Sequence, residues 1–224
     1  MFKKFVTLVA FIFIATNVNA QSVNLKDPYK MVRQVSDNTF QRITRDQPLI
    51  EQDKEHLRVI VTEELMPYID YKYAALRVLG SHVSKVRAIK DPAEQKQAVE
   101  NIKEFIDAFQ EYLVATYAGV FTQYTNQQVE FAPARTFAGQ DVVLVKTKIV
   151  DPNKPDIKID FKVREDRSGD WRAYDMVAEG ISLLDAKQSE LQGILRQQGI
   201  EHVSNLLRQK SQLPVQFRGE GGNE

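Results

Sequence analysis

The chain has 224 residues, with 30 basic and 30 acidic side chains, three histidines and no cysteine. That balance offers no basic surface with which to displace counterions, so nucleic acid is excluded as the principal partner. Without cysteine there is no disulfide, thiolate nucleophile, iron–sulfur site or lipidated N-terminal cysteine, and packing alone has to hold together one large domain or two small lobes.

Residues 1–20 read as a signal peptide. Lys3 and Lys4 precede an apolar stretch from Phe5 to Ala15, and Val18 and Ala20 are the small residues that a signal peptidase reads before Gln21. The apolar stretch, about eleven residues, falls short of the roughly 20 needed to cross a bilayer. Export is therefore expected rather than anchoring, with the periplasm as the destination in a double-membraned cell and no stable membrane span. Without Lys3 and Lys4 the mature chain carries 28 basic and 30 acidic groups, a net of −2.

After Asp27-Pro28, a cap and first-turn pair, Met31, Val32, Val35, Phe40 and Ile43 recur at helical spacing until Gln47-Pro48. A second helix is expected over about 52–65, closed by Pro67, and a third over 68–79, stopped by Gly80. Asp91-Pro92 opens the longest periodic segment, whose stripe runs through Val99, Ile102, Phe105, Ile106, Phe109, Leu113, Tyr117, Val120 and Tyr124 with no charge on it. Such a stripe needs another apolar layer, or a ligand, to be stable in water.

From Gln127 the period changes to two. Val129 and Phe131 begin a strand; Val143, Val145, Thr147 and Ile149 line one face of a second; Ile157, Ile159, Phe161 and Val163 line one face of a third; a fourth runs from about Asp170 to Val177. The breaks at Ala138-Gly139, Asp151–Pro155 and Arg167–Gly169 are short enough for antiparallel connections, which predicts a four-stranded meander. Helix returns from about Ser182 or Lys187 to Gly199, a last helix uses Ile200, Val203, Leu206 and Leu207, and residues 218–224 are expected to be a disordered tail. The whole is α+β.

The polar residues assemble no recognisable catalytic set. Glu55-His56 lacks the His-Glu-x-x-His order of a zinc peptidase, and His82 and His202 stand alone. Asp151, Asp156 and Asp160 sit at turns or on an outward strand face, and neither a phosphate-binding loop nor a serine nucleophile elbow is present. Lys158, Lys162 and Arg164 alternate with apolar positions, as on a solvated sheet face or a docking face.

The segment Trp171-Arg172-Ala173-Tyr174-Asp175, continuing to Ser182, resembles the tryptophan-x-valine/alanine-tyrosine-aspartate signature of the MlaC phospholipid-transport family, also called the toluene-tolerance family. Tyr73 to Gly80 resembles its tyrosine-alanine-rich helix end. With Phe109, Tyr112, Leu113, Tyr117 and Tyr124 on the long helix and the Asp151-Pro152-Asn153 turn, the match covers roughly residues 27–210. The resemblance implies helices packed around a curved four-stranded antiparallel sheet, cone-like with a hydrophobic cavity, in a domain spanning residues 21–217 with room for helical and sheet lobes. It also implies a noncatalytic periplasmic carrier, without cofactor or metal, that binds glycerophospholipid and maintains outer-membrane lipid asymmetry. Its expected partners are the outer-membrane Mla lipoprotein–porin complex and the inner-membrane Mla ABC transporter complex.

On that reading Phe105, Phe109, Leu113, Tyr117, Val143, Val145, Ile159 and Phe161 are the candidate walls for acyl chains, and Leu76, Leu79, Val177, Ile181 and Leu184 their ends or lining. Trp171, Tyr174, Asp175 and Glu179 form a candidate supporting network, with Gly180 placed for a tight strand-to-helix change. The alternative is a periplasmic protein-interaction adaptor without a lipid cavity. A small-molecule enzyme on the same scaffold would require a polar constellation that the sequence does not display.

Overall fold

The computed structural model describes residues 22–125, 127–152 and 154–216. The expected signal peptide and the 218–224 tail lie outside the described residues. Helix α1 (Pro28–Arg45) starts where Asp27 Oδ1 accepts the backbone N–H groups of Tyr29 and Lys30, both at 3.0 Å, satisfying donors that have no partner inside the helix. The Gln47-Pro48 break also starts a helix, α2 (Gln47–Gln52), because proline in the first turn forfeits no helical bond. The segment expected as one helix over 52–65 divides into α3 (His56–Ile60), a π-helical turn (Val61–Leu65) and, carrying Pro67, a 3₁₀ turn (Met66–Tyr68). Asp46 clamps this end: its carboxylate accepts from Arg42 Nε at 2.5 Å and Arg45 Nε at 3.0 Å, and lies 2.9 Å from His56 Nε2. Burial works to raise the carboxyl's pKa, but the hydrogen bonds from Arg42, His56 and Arg45 outweigh it and hold the group well below the usual carboxylate range.

Helix α4 (Tyr71–Leu79) is capped by Asp70 and ends at Gly80, and α5 (Ser81–Arg87) follows without having been expected. Gly80 has φ 52°, in the left-handed region, and a Cβ there would lie 2.9 Å from Gln188 Nε2 and 3.2 Å from Gln192 Nε2. Those amides donate to the carbonyls of Val78 and of Arg77, which also accepts from Gly80 N, and so help to satisfy the helix end. Gly80→Ala is therefore expected to cost about 1–3 kcal/mol, read as a lowered urea midpoint at unchanged slope.

Helix α6 (Pro92–Phe121) is capped by Asp91 and runs for 30 residues; Gly119 does not interrupt it. The last helical stretch is α7 (Leu183–Ser211), kinked at Gly199, whose φ of 82° and ψ of 172° mark the break expected between two helices.

Five antiparallel strands follow chain order: β1 (Gln128–Phe131), β2 (Val142–Asp151), β3 (Lys154–Glu165), β4 (Trp171–Ala178) and β5 (Ile181–Ser182). The expected curved four-stranded sheet, cone-like around a cavity, is corrected here: the sheet has five strands, is open and is not strongly curled. Its edges, the four-residue β1 and the two-residue β5, lie at opposite ends of the strand order and do not pair, so nothing closes it.

Register places Val145, Phe161 and Met176 side by side on one face, with Val143, Val163 and Ala173 as the next row and Thr147, Ile159 and Ala178 beyond. The opposite face carries Leu144, Lys162 and Asp175, then Lys146, Asp160 and Val177. A bulge at Tyr174, opposite the Lys162–Val163 step, shifts β4 by one residue, so Trp171 and Ala173 share the first face but Asp175 and Val177 do not.

Three buried clusters hold these elements. The first joins α4, α6 and α7 through Val78, Leu79, Phe105, Phe109, Leu191 and Leu207, with Tyr174 against it. The second joins α1, α2, α3, the π turn and α6 through Ile43, Ile60, Val61 and Ala118. The third packs Met31, Val32 and Val35 of α1 on Val143, Val145, Val163 and Trp171. Helix α6 thus packs chiefly on α7, α3, α4, α5 and the π turn, while α1 covers the sheet.

Candidate functional site

The signature segment forms a polar knot where sheet meets helix. Asp175, whose side chain is 1% exposed, accepts from Lys162 Nζ at 2.7 Å, Ser182 Oγ at 2.7 Å and Leu184 N at 3.0 Å. One carboxylate thereby ties β3, β4, β5 and the first turn of α7, and Ser182 Oγ accepts in turn from Asp185 N as the cap of that helix. Burial works to lower the Lys162 pKa, but the hydrogen bond and charge of Asp175 raise it above its ordinary value, so the ammonium stays charged.

Trp171 and Tyr174 lie on either side of this knot in different clusters. Trp171 is buried with its ring at 80° to that of Phe137, and Tyr174 makes an edge contact with Tyr73 at 5.1 Å. Glu179 stands in the left-handed region at φ 49°, next to Gly180 at φ 83°, in the two-residue turn between β4 and β5. Its Oε1 accepts from Lys158 N at 2.6 Å while its own N–H donates to the Lys158 carbonyl at 3.0 Å.

The thirteen apolar candidates divide by environment. Leu79, Phe105, Phe109 and Leu184 are buried in the first cluster, and Val143 and Val145 in the third, each surrounded by other side chains of the protein. Leu76, Leu113, Tyr117, Ile159 and Phe161 are half-buried. Val177, placed by the bulge on the opposite face from Phe161, and Ile181, 63% exposed, lie instead at an open cleft of about 510 Å³ with Leu144, Lys162 and Asp185.

Some of the half-buried residues bridge the clusters, whereas Leu76 and Ile159 pack against none of them. Leu113 packs against both the first and the second cluster, and Leu65 of the π turn against both the second and the third. Val114 and Tyr117 neighbour Leu113 on α6, and Ile69 follows the turn. On the sheet, Ile149, Ile157, Ile159 and Met176 share the face of Phe161 but belong to none of the three clusters. This apolar seam includes Leu65, Ile69, Val114 and Met176, which reading from sequence missed. Met176 was hidden by the bulge, and Leu65 by the π turn that re-aims it.

Tyr117 is the polar group of the seam. Burial pushes its hydroxyl up to about 12, with the Asp175 carboxylate and Tyr112 adding to the effect. On the same helix, the ring centre of Tyr112 lies 4.8 Å from the Lys187 ammonium; burial works to lower the pKa of that ammonium, but Glu190 and Tyr112 raise it. Among the described residues no group of three or more His, Asp or Glu side chains could hold a metal ion, and no helix is long and apolar enough to cross a membrane.

An open antiparallel sheet flanked by helices, with a polar knot at its exit and half-buried apolar side chains beside its packed clusters, defines the protein as α+β. The sequence model of the MlaC protein family matches residues 33–209, and the chain belongs to that family. It is 30% identical, over 217 residues covering 96% of both chains, to the intermembrane phospholipid transport system binding protein MlaC of Haemophilus influenzae. Its fold is similar to that of the phospholipid-binding protein from Ralstonia solanacearum, solved in complex with a phospholipid. The TM-score is 0.69 at 21% identity, over 83% of this chain and 97% of that one.

Proposed function

We infer that this chain is a noncatalytic periplasmic carrier that takes glycerophospholipid by its acyl chains and moves it between membranes. The observation that carries the reading is family membership across most of the chain, joined to 30% identity over 96% of both chains with a binding protein of an intermembrane phospholipid transport system. The physical demand is large. Each methylene exposed to water costs about 0.8 kcal/mol, so a sixteen-carbon chain amounts to roughly 12 kcal/mol before any opposing term. In this reading Leu113, Tyr117, Ile159 and Phe161 face the tails along the seam, and Asp175 with Trp171, Tyr174 and Glu179 holds the frame.

The carrier takes its cargo from, or yields it to, a lipoprotein–porin complex at the outer membrane and an ABC transporter complex at the inner membrane, so maintaining lipid asymmetry. Docking supplies the state in which lipid leaves, because affinity alone cannot deliver a cargo. Residues 1–20 are removed on export, and residues 21–217 act as the binding unit.

The test is direct. The mature chain, purified without detergent and then denatured, should release glycerophospholipid in near-stoichiometric amount by mass spectrometry, against an extraction blank. A natively folded protein that neither carries lipid nor acquires it from vesicles would leave the adaptor reading in its place.

A further inference from the structure

A hydroxyl set among hydrocarbon has to find a partner. Left facing acyl chains alone, it costs about 1–3 kcal/mol. Tyr117 is in that position: it is half-buried one turn beyond Leu113, packed against the second cluster. No buried side-chain polar atom of the described residues lacks a hydrogen-bond partner, and the Tyr117 hydroxyl bonds no protein group, so it is not fully sealed in packing and keeps some open surface.

We propose that Tyr117 donates a hydrogen bond to an ester carbonyl oxygen of the bound glycerolipid, setting how deep the lipid sits; this rests on the carrier reading. A glycerophospholipid brings two kinds of acceptor, the charged phosphate and the neutral ester carbonyls. Asp175, whose charge helps to raise the hydroxyl's pKa, is itself paired with Lys162, so the choice between the two acceptors rests on where each one sits. The carbonyls are also the acceptors attached directly to the tails, and so enter apolar surroundings with them, whereas the phosphate gains by staying in water.

The contact is read by removing each partner in turn. Wild-type protein and Tyr117→Phe are loaded from vesicles holding equal parts of diacyl phosphatidylethanolamine and its dialkyl-ether counterpart, and the retained lipid is weighed by mass spectrometry. Wild type is expected to prefer the diacyl lipid about fivefold, the worth of one hydrogen bond. Tyr117→Phe should bring the ratio to one by losing diacyl lipid while holding the ether lipid unchanged.

A ratio that the substitution leaves alone overturns the proposal, and so does an equal loss of both lipids, which assigns the hydroxyl to phosphate or to water. Tyr112→Phe, which keeps the ring that faces the Lys187 ammonium, should keep the wild-type ratio. Should Tyr117→Phe fail to fold, the wild-type preference still decides, since its absence sinks the contact. If the wild type retains neither lipid, the carrier reading falls as well.

Discussion

Asp175→Ala is expected to lower stability by about 3 kcal/mol, the low end of the range for removing one partner of a buried ion pair because Lys162 is 30% exposed. The substitution strands three donors at once: the Lys162 ammonium, the Ser182 hydroxyl and the Leu184 N–H at the first turn of α7. Asp175→Asn has a single carbonyl oxygen, which in the place of Oδ1 keeps the acceptor for Leu184 N–H while its amide N–H meets the Ser182 oxygen, and should recover part of the loss. Urea unfolding of both variants provides the check, and a loss below about 1 kcal/mol for the alanine variant would mean that the knot is dispensable. The effect should reach the joint between β4, β5 and α7 first, seen as faster amide exchange at Leu184 and Asp185.

Ile159→Glu is expected to reduce lipid retention by about thirtyfold at neutral pH, while changing the thermal midpoint little. Ile159 is half-buried on the face of Phe161 but outside the three packed clusters, so the fold loses little when it changes. An acyl chain laid against a carboxylate forfeits about 2 kcal/mol or more, hence the size of the effect. Protonation removes that penalty, so retention should climb back as the pH falls toward 5, and Ile159→Val should be nearly silent. Wild-type lipid content in the glutamate variant would take Ile159 out of the binding surface.

Much of the secondary structure can be read from the amino acids because its causes are local. Asp27-Pro28 and Asp91-Pro92 announce helices whose first N–H groups those aspartates accept. The alternation of Val143 with Val145, and of Ile159 with Phe161 and Val163, places those side chains on one sheet face. The bulge at Tyr174 is different in kind, since it depends on how β4 meets β3, and alternation carried across it puts Val177 on the wrong side and conceals Met176. The π turn at Val61–Leu65 likewise leaves a helical period in the sequence while changing where Leu65 points. Sheet shape was the larger miss: closure depends on edge strands long enough to meet, and β1 and β5 are not. Within the candidate site, composition marks Phe105 and Leu113 alike as apolar helix residues. Only packing separates the first, at 0% exposure, from the second at the seam.

The turn at Glu179 has a bearing on solubility. Strand β3 extends past the end of β4, and a strand edge left bare there would be a template on which another chain could stack. Glu179 occupies the first such rung with its own carboxylate, on Lys158 N. That stretch of β3 is thereby guarded against fibril-like growth, and the left-handed backbone at Glu179 is the modest conformational strain that places the guard.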